Sequence, residues 1–162
     1  MSRVLVITTS LRARSNSDRL AEELIHGASE AGHEVGHISL KNKTIGFCRG
    51  CFACQKTKRC VIRDDADAIE QKMEHADVLV FATPIYYYEM SGQMKTMLDR
   101  GNPLFTTNYA FRDVYFLSTA ADTAAEAAER AVELLRHTGI RDADHGLRIT
   151  RSHHRVDIFA NA

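Results

Sequence analysis

The chain has 162 residues and a mass of 18.2 kDa, a length typical of one domain that can bury a hydrophobic core. Hydrophobic residues make up 44% of the sequence and charged residues 26%, which excludes an intrinsically disordered chain. The 21 basic and 21 acidic side chains balance, so nucleic-acid binding through bulk charge is not expected.

Apolar runs in this sequence are short, as in Val4-Leu5-Val6-Ile7. None approaches the roughly 20 apolar residues that a membrane-spanning helix needs. The first residues also lack the apolar segment and small-residue cleavage site of a signal peptide. We therefore expect a soluble, cytoplasmic protein with no membrane or nucleic-acid partner.

Strand-like and helix-like patterns alternate along the chain. Short aliphatic and β-branched runs predict strands at 3–8, 34–40, 77–82, 114–117 and 147–150. Helical spacing of apolar residues predicts helices over 17–31, after a cap at Asp64 or Asp65, over 91–100 and over 122–138. This order predicts an α/β protein with a parallel, doubly wound sheet.

In such sheets, ligands bind beyond the carboxyl ends of the strands, where the strand order reverses. Three predicted loops meet that description, namely residues 9–17, 83–92 and 118–122. We therefore expect the functional site to be built from these three loops.

The first loop is rich in hydroxyl groups and contains two arginines but no glycine. The missing glycines exclude the dinucleotide-binding fingerprint and the Walker A motif. Serine and asparagine donors at a helix N-terminus favour binding of a phosphate monoester. The same residues are also typical of a simple N-cap turn, and composition alone does not separate the two interpretations.

The second loop carries three successive tyrosines, Tyr86 to Tyr88, directly after a buried strand. Tyrosines at this edge could lie against a flat aromatic ligand, and Pro84 would rigidify the turn before them. The alternative is a subunit interface, where tyrosine is common. The third loop offers only small residues and backbone donors, and alone it indicates little.

All four cysteines, Cys48, Cys51, Cys54 and Cys60, lie within thirteen residues of a segment without clear periodicity, 44–62. The C-x2-C-x2-C spacing is that of ferredoxins, which favours a [4Fe–4S] cluster. A structural zinc site on the same four thiolates is a second interpretation. Free thiols with no metal, or with an occasional disulfide, are the third.

Taken together and in order, the motifs of this chain resemble those of the flavodoxin-like NAD(P)H-dependent FMN reductases, in the branch that includes the iron–sulfur flavoproteins. The resemblance covers about residues 3–150. The matching motifs are Ser10-Leu11-Arg12, Ser15-Asn16-Ser17, the cysteine spacing up to Cys60 with Asp64-Asp65, Ala76-Asp77, Thr83-Pro84-Ile85-Tyr86, Ser91-Gly92-Gln93-Met94-Lys95 and Leu98-Asp99-Arg100.

The resemblance implies a flavodoxin-like fold, with a five-stranded parallel sheet in three α/β/α layers. It further implies one FMN-binding domain over residues 1–162, with 44–62 as a cysteine-containing insertion and without the family's usual final helix. Either a partner subunit or the tail after Arg151 is then expected to cover the sheet. Ala120-Ala121 replaces the glycine that the family often has in the third loop.

The resemblance also implies a cofactor, FMN, and the residues that hold it. The FMN phosphate is expected at Ser10, Arg12, Ser15, Asn16 and Ser17. The ring is expected against Pro84, Ile85, Tyr86 and Tyr87, with Ser118 and Thr119 completing the pocket. Lys95, Asp99 and Arg100 match the family signature, and we interpret them as helix-packing and interface residues.

The predicted function is FMN-dependent electron transfer from NAD(P)H to a quinone, a metal chelate or another acceptor, small molecule or protein. The cofactor supplies the chemistry, so no catalytic acid or base is assigned. The alternative is an iron–sulfur flavoprotein or a flavodoxin-type electron carrier that serves a protein partner. We expect a homodimer or a homotetramer.

Overall fold

The structure is a computed structural model and describes residues 1–120, 147–151 and 156–161. The predicted helix over 122–138 lies outside the described residues, as do the last two residues of the third loop. None of the helices in the described part of the chain is long and apolar enough to cross a membrane.

Seven strands and four α-helices make up the described fold. The strands are β1 Arg3–Thr8, β2 Glu34–Ser39, β3 Val78–Tyr86, β4 Glu89–Met90, β5 Asp113–Thr119, β6 Leu147–Arg151 and β7 Val156–Asn161. The helices are α1 Asn16–Glu30, α2 Ala53–Thr57, α3 Asp65–His75 and α4 Gly92–Arg100. Two 3-10 helices, Leu40–Asn42 and Asn102–Thr106, follow β2 and α4.

The main sheet has the strand order β2-β1-β3-β5-β7-β6, and β4 pairs with the end of β3. β1 pairs in parallel with β2 and β3, and β3 pairs in parallel with β5. Because β7 is antiparallel to both β5 and β6, the five predicted strands all run in the same direction. This confirms the predicted flavodoxin-like α/β class.

The described tail differs from the expected architecture in one respect. We expected the strand at 147–150 to end the sheet, but a further strand, β7, lies between β5 and β6. Strand β7 therefore extends the sheet in its own plane by backbone pairing.

Alternation of side chains along the central strands produces a core on each face of the sheet. Leu5, Ile7 and Phe81 belong to the larger cluster, which includes residues of α3 and α4. Val4, Val6 and Val80 belong to the smaller cluster, against which α1 packs. Burial on both faces explains why β1 and β3 are continuous apolar runs.

Capping residues set the helix boundaries close to where the sequence predicts them. Ser15 caps α1, and Gly32 (φ +82°) follows its end with the left-handed backbone that glycine adopts easily. Asp64 caps α3 by accepting a hydrogen bond from Ala66 N at 3.0 Å. Ser91 caps α4. These caps fix where the helices next to the candidate site begin.

Candidate functional site

The carboxyl ends of β1, β3 and β5 lie side by side and form one edge, which we call the carboxyl edge. Thr83 is in register with Ser118, and Pro84 with Thr119. Thr9 N donates a hydrogen bond to Ala82 O at 3.1 Å, which places the first loop beside the second. The strand order reverses between β1 and β3 at this edge. The three predicted loops therefore begin at one place, as expected for a ligand site.

Three buried hydroxyl groups join the first loop to the second. Thr9 Oγ1 donates to Thr83 Oγ1 at 2.9 Å and lies 2.9 Å from Ser91 Oγ. Thr83 Oγ1 lies 3.0 Å from Ser91 Oγ, and Ser91 N donates to Thr83 Oγ1 at 3.2 Å. All three residues are fully buried. Because buried hydroxyls are stable only when bonded, this hydroxyl triangle fixes the two loops relative to each other.

The first loop ends at the N-terminus of the fifteen-residue helix α1. Ser10, Ser15 and Ser17 are buried, and the hydroxyls of Ser15 and Ser17 lie 3.1 Å apart. Ser15 Oγ also accepts a hydrogen bond from Asp18 N at 3.1 Å. Arg12 and Asn16 are exposed. The structure thus brings Ser15 and Ser17 together and buries Ser10 in the same loop, whereas the arginine and the asparagine lie on the outside of the loop.

The second loop is more regular than the sequence suggests. β3 continues through Pro84 to Tyr86 and turns back into β4, with Tyr86 paired to Glu89. Tyr87 (φ 48°) and Tyr88 (φ 65°) form the two-residue turn, both in the left-handed region. Positive φ at both positions is typical of a type I′ hairpin, which normally uses Asn-Gly. Tyr87 and Tyr88 are not residues from which a hairpin turn would be predicted.

The aromatic side chains of that hairpin project away from the core. Tyr87 is 96% exposed and Tyr88 74%, and their rings make an edge-to-face contact. Pro84 is buried, and Ile85 is half-buried. Ser118 and Thr119 are buried at the end of β5. The predicted ring-binding residues thus share one edge and range from fully buried to fully exposed.

The cysteine segment, residues 44–62, contains the short helix α2, which the sequence did not predict. All four cysteine side chains are free and line one cavity of about 30 Å³, which we call the cysteine pocket. Cys48 and Cys51 are exposed, while Cys54 is buried. Burial raises the pKa of the Cys54 thiol, and charge on the other three cysteines raises it further.

Within the described residues, no group of three or more His, Cys, Asp or Glu side chains is arranged to hold a single metal ion. Four thiols lining one pocket are the donor set that an iron–sulfur cluster uses. A structural zinc site uses the same four ligands. The residues of the pocket therefore fit a cluster, and they do not separate it from the zinc interpretation.

Arg100 lies in the cysteine pocket, although the sequence suggested a packing or interface role. It is only 1% exposed, and its guanidinium donates to Gly46 O at 3.0 Å and to Ile62 O at 3.0 Å. It also donates to Asp64 Oδ2 at 2.6 Å. One side chain at the end of α4 therefore joins both ends of the cysteine segment.

The Arg100–Asp64 ion pair is buried, with side-chain exposures of 0% and 10%. Desolvation alone would raise the pKa of Asp64, but hydrogen bonds from Arg100, Gly46 N and Ala66 N bring that pKa below its usual value. Burial alone would lower the pKa of Arg100, yet Asp64 and the nearby Cys60 raise it. Both groups thus stay ionised inside the protein.

Glu70 of α3 interacts electrostatically with this pair and is 6% exposed, and its Oε1 has no hydrogen-bond partner in the described part of the chain. Burial raises the pKa of Glu70 to about 7, and the attraction of Arg100 only partly opposes that rise. The charge of Asp67 and Asp64 adds to the rise. No sequence pattern marked Glu70, since one carboxylate on an amphipathic helix is ordinarily solvent-exposed.

A second cavity, of about 330 Å³, lies between the cysteine segment and the start of α4. Its lining combines apolar side chains with a few polar ones and consists of Leu40, Lys43, Ile45, Phe47, Gly92, Gln93 and Thr96. Both the volume and the mixed lining are within the range of small-molecule sites. Ser91 of the hydroxyl triangle immediately precedes Gly92, one of the residues that line this cavity.

Known proteins similar to this chain are flavoproteins. An iron–sulfur flavoprotein of Methanocaldococcus jannaschii is 36% identical over 102 residues, which are 63% of this chain and 53% of that protein. An FMN-dependent NAD(P)H:quinone oxidoreductase of Pseudomonas aeruginosa is 30% identical over 112 residues, 62% of this chain and 53% of the relative. The chain thus spans about half the length of these relatives.

A solved structure and a family model extend the comparison. The NAD(P)H:quinone oxidoreductase of Methanothermobacter marburgensis has the same fold, with a TM-score of 0.71, 18% identity, and coverage of 87% of this chain and 80% of that one. The model of the NADPH-dependent FMN reductases matches residues 2–147. The chain therefore belongs to the NADPH-dependent FMN reductase family, which confirms the family that the sequence motifs predicted.

Proposed function

We propose that this chain is an FMN-dependent oxidoreductase that takes electrons from NAD(P)H and delivers them to a small acceptor such as a quinone or a metal chelate. The carboxyl edge carries this proposal, because it joins a serine-rich helix N-terminus to an aromatic hairpin through one buried hydroxyl triangle. The family description names the nicotinamide and the flavin.

The phosphate of FMN would bind at the start of α1. The buried Ser10, Ser15 and Ser17 and the first-turn N–H groups of that helix offer donors and the positive end of the helix dipole. Arg12 and Asn16, both exposed, would contact the phosphate from the solvent side.

The ring of FMN would lie along the end of β3. Pro84 and Ile85 would form its floor, the exposed Tyr86 and Tyr87 would flank it, and Ser118 with Thr119 would close the far side at the end of β5. These residues would hold FMN, which would supply the chemistry for taking a hydride from a reduced nicotinamide and passing two electrons to an acceptor. The chain binds and orients the ring, and backbone N–H groups after Pro84 would stabilise negative charge on it.

The acceptor would be small enough to enter the cavity of about 330 Å³ beside α4, with apolar contacts from Leu40, Ile45 and Phe47. Gln93, on the first turn of α4, would supply a polar contact for a carbonyl or hydroxyl edge. This mixture of contacts suits a quinone.

Direct reduction tests the proposal. FMN-loaded protein is mixed with NADH or NADPH without oxygen, and the flavin absorbance is followed. We expect bleaching with at least one nicotinamide, then recovery of the absorbance when a quinone is added. Because the flavin would be reduced by one substrate before it is reoxidised by the other, initial-rate plots should give parallel lines. Protein that binds FMN but is reduced by neither nicotinamide would contradict the proposal.

A second candidate is an iron–sulfur flavoprotein that exchanges electrons with a protein partner. The four thiols around one pocket and the buried cation beside them favour it. Cys48, Cys51, Cys54 and Cys60 would hold a [4Fe–4S] cluster, which stores single electrons. Iron near four per chain in protein purified without air would support this candidate, and protein without iron or acid-labile sulfide would refute it.

We further propose a single FMN-binding domain, with the cysteine segment as an insertion, that works in the cytoplasm as a homodimer or homotetramer. The strands of one continuous sheet support the single domain. The fully exposed tyrosine hairpin supports oligomerisation, because tyrosine is enriched at subunit contacts. A strictly monomeric mass in light scattering would contradict the oligomer.

A further inference from the structure

We propose that Arg100 is a positioning residue of the cysteine pocket, which fixes the geometry of the segment and sets the reduction potential of a cluster held there. This inference rests on the second candidate under the proposed function. It concerns a side chain outside the cysteine motif that touches both ends of the cysteine segment.

The first argument is geometric. Arg100 binds Gly46 O just before Cys48 and Ile62 O just after Cys60, so both ends of the cysteine segment are tied to the last residue of α4. Asp64 and Asp65 also hold the start of the segment, by accepting hydrogen bonds from Gly46 N and Thr44 N at 2.8 Å each. Arg100 differs from them because one guanidinium binds carbonyls at both ends. Without it, these two carbonyls would lose their common donor, and the spacing of the cysteines would be less tightly fixed.

The second argument is an unused donor. The Nε atom of Arg100 is buried and has no hydrogen-bond partner among the residues that the structure describes. Buried polar atoms nearly always have a partner, so this atom indicates a missing acceptor. The guanidinium lines the pocket and interacts with Cys60. A thiolate or sulfide of a bound cluster is an acceptor of the right charge.

The third argument concerns the direction in which each charge shifts the reduction potential of the cluster. Reduction adds negative charge to a cluster, and a cation held in a poorly solvated site stabilises that charge. Asp64 opposes the effect, since its carboxylate neutralises part of the guanidinium charge at 2.6 Å. Arg100 should therefore raise the reduction potential, and Asp64 should lower it.

The test uses the full chain reconstituted with iron and sulfide without air. Arg100→Gln should lower the potential, and Asp64→Asn, which keeps a hydrogen-bond acceptor without the charge, should raise it. Arg100→Lys keeps the positive charge, so its potential should lie close to that of the wild type. It loses the guanidinium that binds Gly46 O and Ile62 O, so the ends of the cysteine segment should be less well fixed. Arg3→Gln is the matched control, because its ion pair with Asp77 lies at the opposite end of β1.

Loss of iron to a chelator gives the second readout. Removing a partner outside the ligand set typically weakens metal binding about 10- to 100-fold, so iron should leave the Arg100→Gln protein at least tenfold faster than the control. If Arg100→Gln does not fold, the Arg100→Lys protein still gives the rate of iron loss. The Asp64→Asn protein still gives the expected rise in reduction potential.

Two results would overturn the inference in different ways. The inference would be overturned if Arg100→Gln and Asp64→Asn shifted the reduction potential in the same direction, or if Arg100→Gln lost iron no faster than the Arg3→Gln control. Either result would leave the iron–sulfur function intact. Wild-type protein that takes up no iron would overturn both. Flavin reduction by NAD(P)H, measured on the same samples, reports separately on the FMN reductase function.

Discussion

The carboxyl edge and the cysteine pocket lie at opposite ends of helix α4, and different interactions hold them in place. Ser91, which caps α4, belongs to the neutral hydroxyl triangle beside the sheet. Arg100, the last residue of α4, belongs to a buried ion pair that holds an irregular segment. The first region depends on sheet register, and the second depends on one pair of charges.

This difference predicts how each region fails. Removing one hydroxyl from the triangle leaves the other two bonded to each other, so the strands keep their register. Removing one member of a buried ion pair leaves an uncompensated charge in the interior, which costs far more. Removing one member of the ion pair should therefore lower the stability of the protein more than removing one hydroxyl of the triangle.

Breaking the ion pair should have the largest effect. Asp64→Ala leaves the Arg100 guanidinium buried with its charge uncompensated and also removes the cap of α3. We expect the free energy of unfolding to fall by about 3 to 5 kcal/mol, measured by urea denaturation. Asp77→Ala, which removes the exposed partner of Arg3, is the control and should cost much less. Equal losses in the two variants would contradict the comparison.

Glu70 should make stability depend on pH. Its carboxyl ionises near pH 4.5 in the unfolded chain, whereas burial raises its pKa to about 7 in the folded protein. Between these values the folded protein retains a proton that the unfolded chain has released, so this group makes stability fall as pH rises. Glu70→Gln should therefore stabilise the protein by about 3 kcal/mol at pH 8.

The same variant provides its own control at low pH. Below pH 4.5 the carboxyl is protonated in both states, and Glu70→Gln should leave the free energy of unfolding nearly unchanged. Urea denaturation of both proteins across this pH range checks the prediction. An equal effect of the substitution at every pH would show that the burial of the carboxylate is not the cause.

A single hydroxyl in the triangle should matter less. Thr83→Val keeps the shape of the side chain but removes the bonds to Thr9 and Ser91. We expect a loss of about 1 to 2 kcal/mol in stability and FMN binding weakened by about tenfold, which corresponds to about 1.4 kcal/mol. Fluorescence titration with FMN measures the affinity. Ser29→Ala removes an exposed hydroxyl far along α1 and should change neither quantity.

The strained hairpin should give the smallest change in stability, and with opposite sign. Left-handed backbone costs a residue with a side chain about 1 to 2 kcal/mol, and Tyr87 and Tyr88 are both exposed. Replacing them together by Asn-Gly should therefore stabilise the fold by about 1 kcal/mol while weakening FMN binding, because the rings are lost. Phenylalanine at both positions keeps the rings and the strain and serves as the control. Tighter FMN binding to the Asn-Gly variant would exclude a role for these rings.

The sequence predicted the regular parts of the fold because their signals are local. The buried runs of β1 and β3, the helix cap at Asp64 and the convergence of three loops all follow from periodicity and capping. The hairpin at Tyr87 was not predictable, since Tyr-Tyr is a poor type I′ turn, and the turn is held by the pairing of β3 with β4.

The contacts of Arg100 and Glu70 could not be predicted for a different reason. Gly46 and Ile62 lie 54 and 38 positions before Arg100 in the chain, and the sequence pattern of an exposed helix end is the same as that of a buried one. Only the path of the cysteine segment brings these groups together. The position of β7 between β5 and β6 likewise depends on long-range pairing.

The most direct measurement is the visible spectrum of protein purified without air, with flavin and iron counted on the same sample. The central claim is that the carboxyl edge holds FMN, and it predicts the two absorbance bands of a flavin at one FMN per chain, either as purified or after adding FMN. A broad additional absorbance with four irons per chain would add the cluster at the cysteine pocket. Protein that is colourless and takes up no added FMN would contradict the account.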